Sequence, residues 1–288
     1  IKKMKKIILF FLIFFLIYGL AELTQKIFPF FLSNLFEKNL EIENQNNSNV
    51  MLKFNKCEIP SIEYIPDRST VVIGHAYGSP SGSEKKFISD KVMFFLENES
   101  NISNVIFTGD VFKKPSLKKW RKLDNIFGNK FNIFIAPGNH DFYKPISRVY
   151  FLLSPFGFSK YPKEIDFKNI KIIIDDSISN QWQVNKTVID NINESNKDSI
   201  IIARHNVPIV ELKDHSNSLE GISGKLDSFR SLKNKLSSKK IIWIAGDGMS
   251  IDCFEKENHV FIINGISGSN KDTVIIIHEA NVYQHSID

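Results

Sequence analysis

Five short polar groups recur along the chain, each directly after an apolar run: Gly74-His75-Ala76-Tyr77-Gly78, Gly109-Asp110, Gly138-Asn139-His140-Asp141, Arg204-His205-Asn206 and Gly246-Asp247-Gly248. Taken singly, each has a plain structural use, because Gly-Asp and Gly-Asn pairs make turns and a His at a strand end is commonly just hydrogen-bonded. In succession they point to one ligand site, since α/β sheets bind ligands beyond the carboxyl ends of their strands. Carboxylate, amide and imidazole donors converging at a sheet edge suit a divalent ion such as Mn, Fe or Zn rather than a thiolate centre. The two cysteines, Cys57 and Cys253, have neither CxxC spacing nor a nearby His, so a structural zinc site is not expected. They are open either to a disulfide, if the chain is exported, or to two thiols in apolar surroundings.

Such groups need strands to carry them. The β-branched runs 70–73, 104–107 and 131–135 alternate with an amphipathic stretch over 83–99, whose Phe87, Val92, Phe95 and Leu96 have helical spacing. The pattern continues with strands at 170–174, 199–202 and 240–244 and helices over 181–194 and 226–236. Runs at 259–263, 273–278 and 281–285 follow without helices between them and predict an antiparallel finish. The expectation is an α/β domain over 50–288 with a substantially parallel sheet. Trp120, Trp182 and Trp243 read as core rather than substrate platform.

Phe107-Thr108-Gly109-Asp110 and Pro137-Gly138-Asn139-His140-Asp141, with the later His205, resemble the motif series of the calcineurin-like metallophosphoesterases. The resemblance covers roughly 70–265 and implies a two-sheet β sandwich flanked by helices, with a dinuclear metal centre at the strand ends. It implies that Asp110 bridges the metals, that Asn139 and His205 bind the second one, and that His140, oriented by Asp141, contacts the phosphoryl group and protonates the leaving oxygen. Two cations roughly 3.5–4 Å apart can activate a water and neutralise the phosphoryl oxygens together, and a bridging carboxylate keeps them that close.

Both ends of the series depart from the family. The opening Asp-x-His is replaced by His75 and Tyr77, or, in a second register, by Ile73 and His75; either way the carboxylate is missing. His75 can still bind a metal, whereas Tyr77 is a poor ligand unless ionised, which an unperturbed pKa near 10 makes costly. The closing Gly-His-x-His reads Gly246-Asp247-Gly248-Met249; Asp247 can substitute a carboxylate oxygen, but Met249 is a poor partner for a hard ion. One metal position thus keeps Asp110, Asn139, His205 and Asp247, and the other keeps Asp110 and His75. The expected cofactor is one or two divalent ions and the expected activity is hydrolysis of a phosphomonoester or phosphodiester. The alternatives are a non-catalytic relative binding a phosphorylated or glycan ligand, and a cell-envelope assembly protein with a structural metal.

The remaining histidines, His215, His259, His278 and His285, have no counterpart in the motif series and read as structural or surface, with a reservation for His259, which precedes a strand leading to Asn264-Gly265. The 79–83 Ser/Gly/Pro stretch reads as a loop. Lys2, Lys3, Lys5 and Lys6 precede an uncharged apolar run over 7–21. As a helix that run spans roughly 22 Å against the ~30 Å hydrocarbon core, so a signal peptide and a signal anchor compete over 1–26. The polar stretch within 27–49 reads as a linker. Of the net charge of +5, the first 26 residues supply +4, leaving +1 for the rest. That balance has no electrostatic footprint for nucleic acid. An extracytoplasmic or periplasmic location, with membrane attachment if the segment is uncleaved, is expected.

Overall fold

Alternate side chains of the strand runs enter different cores, so both faces of each sheet are covered and the runs read as unbroken Val and Ile. In the run 69–73, Val71 and Ile73 join one cluster and Val72 another. In the run 240–245, Ile241, Trp243 and Ala245 face one way while Ile242 and Ile244 face the other. The computed structural model describes residues 52–79, 87–142, 144–157, 160–214, 226–236, 238–268 and 271–287. The N-terminal run, the 27–49 stretch, His215 and residues 80–83 lie outside the described residues.

In chain order the elements are β1 (Asn55–Lys56), β2 (Ser69–Ile73), α1 (Asp90–Asn98), β3 (Ile102–Phe107), α2 (Leu117–Phe127), β4 (Asn132–Ile135) and α3 (Pro145–Leu152). Then come β5 (Lys163–Asp166), β6 (Ile170–Ile174), α4 (Lys186–Glu194), β7 (Ser199–Arg204) and a 3₁₀ turn at Val210–Asp214. The rest are α5 (Phe229–Lys235), β8 (Lys240–Ala245), β9 (Asp252–Lys256), β10 (His259–Ile263), β11 (Thr273–His278) and β12 (Asn281–Ser286). One sheet has the order β1-β9-β10-β8-β7-β6-β5 and the other β12-β11-β2-β3-β4. Strands β2, β3 and β4 are mutually parallel, as are β6, β7, β8 and β10.

The expected two-sheet α/β sandwich is therefore the observed fold, and its layers follow from the strand period of two. Val72, Ile106 and Ile275 meet Ile172, Ile201, Ile244 and Ile262 between the sheets. Outside the five-stranded sheet, Val92 and Leu96 of α1, Trp120 and Leu123 of α2, and Phe151 of α3 close one core. Val188 and Ile192 of α4 with Phe229 and Leu232 of α5 close the other.

The helices expected over 83–99 and 181–194 are shorter, because caps start them later. Ser89 accepts a hydrogen bond from Val92 N, and Asn185 accepts one from Thr187 N. Before the second of these, Gln181 and Trp182 take left-handed backbone with φ of 51° and 73°. The antiparallel finish is present in β11–β12 and in β9–β10, yet β10 also lies parallel to β8. Cys57 and Cys253 are joined as a disulfide with Cα atoms 5.0 Å apart, tying the segment after β1 to β9.

Candidate functional site

The polar groups leave the carboxyl ends of β2, β3, β4, β7 and β8, and the two sheets bring those ends together. Main-chain and side-chain bonds stitch the edge: His75 N donates to Gly109 O at 3.2 Å, Ile266 N to Gly74 O at 3.0 Å, and Asn264 Nδ2 to Val72 O at 3.0 Å. Asp110 stands at the centre, 1% exposed, in left-handed backbone with φ 54°. Its Oδ1 accepts from His140 N at 2.9 Å and lies 3.5 Å from His205 Nε2, while its Oδ2 lies 3.3 Å from His75 Nε2 and 4.0 Å from His140 Nε2.

Such crowding requires glycine at two flanking positions. A Cβ on Gly109 would meet His205 Nδ1 at 2.4 Å, and one on Gly138 would meet Asp110 Oδ1 at 2.3 Å. Burial pushes the Asp110 carboxyl pKa up, but the charge of His205 and the hydrogen bond from His75 outweigh it and hold the group well below the usual carboxylate range. Asp110 is therefore an anion despite its burial.

His205 is fully buried and makes contacts through both ring nitrogens. Nδ1 lies 2.9 Å from Thr108 O, an acceptor, so Nδ1 carries a proton. Nε2 faces three oxygens: Asn139 Oδ1 at 2.8 Å, Asp110 Oδ1 at 3.5 Å and Asp247 Oδ1 at 3.6 Å. Burial opposes a charge on this ring, yet Asp110 and Asp247 reverse that effect and its pKa is raised.

Ligands about 2.1 Å from one ion stand about 3.0 Å apart at octahedral angles and about 3.4 Å apart at tetrahedral angles. The 2.8–3.6 Å spacings around His205 Nε2 are of that order, which makes Asp110, Asn139, His205 and Asp247 the candidate donor set for one ion. A carbonyl partner on the other ring nitrogen is also what metal-bound imidazoles have. Among the described residues no three His, Cys, Asp or Glu side chains stand arranged to hold a metal as they are, so the candidate set depends on the Asn139 amide, 2.8 Å from His205 Nε2, as a further donor.

The other position is different. His75 Nδ1 is buried without a hydrogen-bond partner among the described residues, so the ring lacks the support that His205 has. Tyr77 Oη lies 3.4 Å from His75 Nε2, with ring centroids 4.6 Å apart. Burial, then the charges of Asp110, Asp141 and Asp247, raise the Tyr77 pKa, which keeps the phenol neutral. A neutral phenol and an unsupported imidazole are a poor donor pair for a second ion.

Asp141 Oδ1 accepts from Val111 N at 3.1 Å and its Oδ2 from Gly138 N at 3.0 Å, so this carboxylate ties the Asp110 loop to the Asn139 loop. Burial and the charge of Asp110 push its pKa up to about 7, against those amide donors. His140 is partly exposed at the mouth, with its ring 5.4 Å from that of Tyr77.

Asn206 and Arg204, which flank His205 in its polar group, carry no assigned role in the sequence reading. Asn206 Nδ2 donates to Asp247 Oδ2 at 2.9 Å, and Ser177 Oγ donates to Asn206 Oδ1 at 3.2 Å. Arg204, fully buried, lies 3.5 Å from Asp175 Oδ2 through Nη1 and donates from Nη2 to Trp182 O at 2.7 Å. The available signal was position: Asn206 directly follows His205, and Asp175 directly follows β6.

The reservation about His259 is corrected by strand direction. It opens β10, at the amino end and away from the site, and accepts from Trp243 Nε1 at 3.2 Å; burial lowers its pKa to about 4. His278 and His285 are likewise structural, against Ser69 Oγ and Ile62 O. Trp120 and Trp243 are fully buried, and Trp182 packs on the core beneath α4. Met249 is exposed.

Several solved structures are similar to the chain at low identity. GAP50, the anchor in the inner membrane complex of Plasmodium, is 12% identical over 75% of this chain and 82% of its own, with a TM-score of 0.47. The phosphopantetheinyl hydrolase of Mycobacterium tuberculosis is 9% identical over 71% of this chain and 91% of its own, at 0.42. The 5'-nucleotidase of Candida albicans is 10% identical over 79% of this chain and 53% of its own, at 0.38. No curated protein matches the chain. The family model of the calcineurin-like phosphoesterases matches residues 75–265, from the His75 loop to the end of the Asn264 turn, and the chain belongs to that family.

Proposed function

We propose that the chain hydrolyses a phosphomonoester or phosphodiester at a reduced centre holding one divalent ion, Mn, Fe or Zn, through Asp110, Asn139, His205 and Asp247. The observation that carries this reading is the His205 ring, with Thr108 O at 2.9 Å behind it and three oxygen donors within 3.6 Å in front. When bound, the ion supplies a water acidic enough to act as nucleophile near neutral pH and positive charge for the phosphoryl oxygens.

The chain's own groups divide the remaining work. Asp110 stays ionised and holds the His140 backbone N–H, which aims the loop carrying the His140 ring at the mouth of the site. His140 holds a proton for the leaving oxygen. Asp141 keeps the two loops in register through Gly138 N and Val111 N. His75 stands as a hydrogen-bond partner of Asp110 Oδ2 rather than as a ligand.

A second reading is motivated by Tyr77, whose ring stands 4.6 Å from that of His75 where the family motif has a metal ligand: a binding protein for a phosphorylated or glycan ligand without turnover. Assay of generic aryl phosphates with Mn²⁺ separates the two. Hydrolysis that falls by at least about 10²-fold in both Asp110→Ala and His140→Ala supports catalysis. Turnover indifferent to both substitutions refutes the residue assignment, and absent turnover in a metal-loaded wild type favours the binding protein. The basic and apolar N-terminal run and the Cys57–Cys253 disulfide together support an extracytoplasmic location.

A further inference from the structure

We propose that Asn206, backed by Ser177, is a positioning residue that lets Asp247 serve as an ion ligand where the family motif has an imidazole; this rests on the single-ion reading above. Asp247 is a short side chain that is a quarter exposed, and its carboxylate would otherwise turn toward water. Asn206, 1% exposed, takes Oδ2 through its Nδ2 at 2.9 Å and leaves Oδ1 facing His205 Nε2.

The orientation of the Asn206 amide is set from behind. Ser177 Oγ donates to its Oδ1 at 3.2 Å and accepts from its backbone N at 3.3 Å, using both capacities of one hydroxyl. An ionised carboxylate can only accept, so the amide nitrogen must face Asp247. Ser177 is fully buried in the loop after β6, so the relay runs from one strand end through the next to a third. A neutral amide also holds the carboxylate without cancelling its charge, whereas Lys or Arg in that place would compete with the bound cation.

Full-length wild type, Asn206→Ala, Asp247→Ala and the double variant are titrated with Mn²⁺ alone by calorimetry, with melting curves of the metal-free proteins to verify folding. Asn206→Ala and Asp247→Ala are each expected to weaken Mn²⁺ binding by about tenfold or more, with the double variant no weaker than Asp247→Ala. Wild-type affinity in Asn206→Ala, or a loss that recurs in full on the Asp247→Ala background, overturns the inference and leaves the single-ion reading standing. A wild type that takes up no Mn²⁺ overturns both. Should Asn206→Ala not fold, Ser177→Ala carries the same test: a several-fold loss present only when Asp247 is intact supports the relay, and a loss independent of Asp247 overturns it.

Discussion

A methyl group at position 138 would meet Asp110 Oδ1 at 2.3 Å, the Asp110 backbone N at 2.4 Å and His205 Cε1 at 3.0 Å. Real Cβ contacts essentially never fall under 3.0 Å, so Gly138→Ala must displace the carboxylate or its loop by about 0.7 Å. Neither yields easily, because Oδ1 is held by His140 N at 2.9 Å and Gly138 N is itself held by Asp141. Overpacking of this kind costs about 1–3 kcal/mol, and each kcal/mol lowers Tm by about 2–4 °C in a domain of this size. The effect on chemistry is larger, since a reacting group misplaced by about 1 Å loses about 10²-fold in rate. Melting curves, aryl phosphate turnover with Mn²⁺ and Mn²⁺ affinity of wild type and Gly138→Ala measure all three quantities. A folded variant with wild-type turnover and affinity would refute the placement of Asp110 at the reacting centre.

Two further outcomes are expected. The Cys57–Cys253 bridge closes a separation of 196 residues, for which the chain-entropy relation yields about 5 kcal/mol, so the Cys57→Ala/Cys253→Ala chain should melt markedly lower while hydrolysing normally below its new Tm; an unchanged melt counts against the bridge. In metal-free protein, Asp141 at about 7 and Asp175 at about 6 hold protons that the unfolded chain releases near 3.8, so their contribution, present at pH 4, is lost as pH rises toward 7 and outweighs the opposite, smaller contribution of His259, lowered to about 4. The raised pKa of His205 continues that loss above 6.5, and a Tm in chelator that rises between pH 5 and 7 would contradict these assignments.

The strands were legible because burial on both faces leaves unbroken apolar runs, and the candidate site was legible because a polar group, with glycine beside it at four of the five, follows each of those strands. Elements without those signals were not. Helix α2 hides Leu117, Trp120, Leu123 and Phe127 among Lys118, Lys119, Arg121 and Lys122, and β5 is a charged edge strand, Lys163-Glu164-Ile165-Asp166. The helix expected from 181 fails locally, because Asn185 caps the chain after a left-handed turn.

From the sequence come the order of the candidate donors, Asp110, Asn139, His205 and Asp247, and, through the resemblance to the calcineurin-like motif series, the absence of a carboxylate at the opening motif. Apolar runs closed by turn residues mark where those donors sit, because local composition encodes burial and turns. Which groups share a space is set by the packing of the chain: Asp247 beside Asn206, His205 on Thr108, Asp141 on Val111 N and Cys57 on Cys253. Those partners lie between 30 and 196 residues apart, and the packing of two sheets, to which no single window of sequence refers, sets their distances.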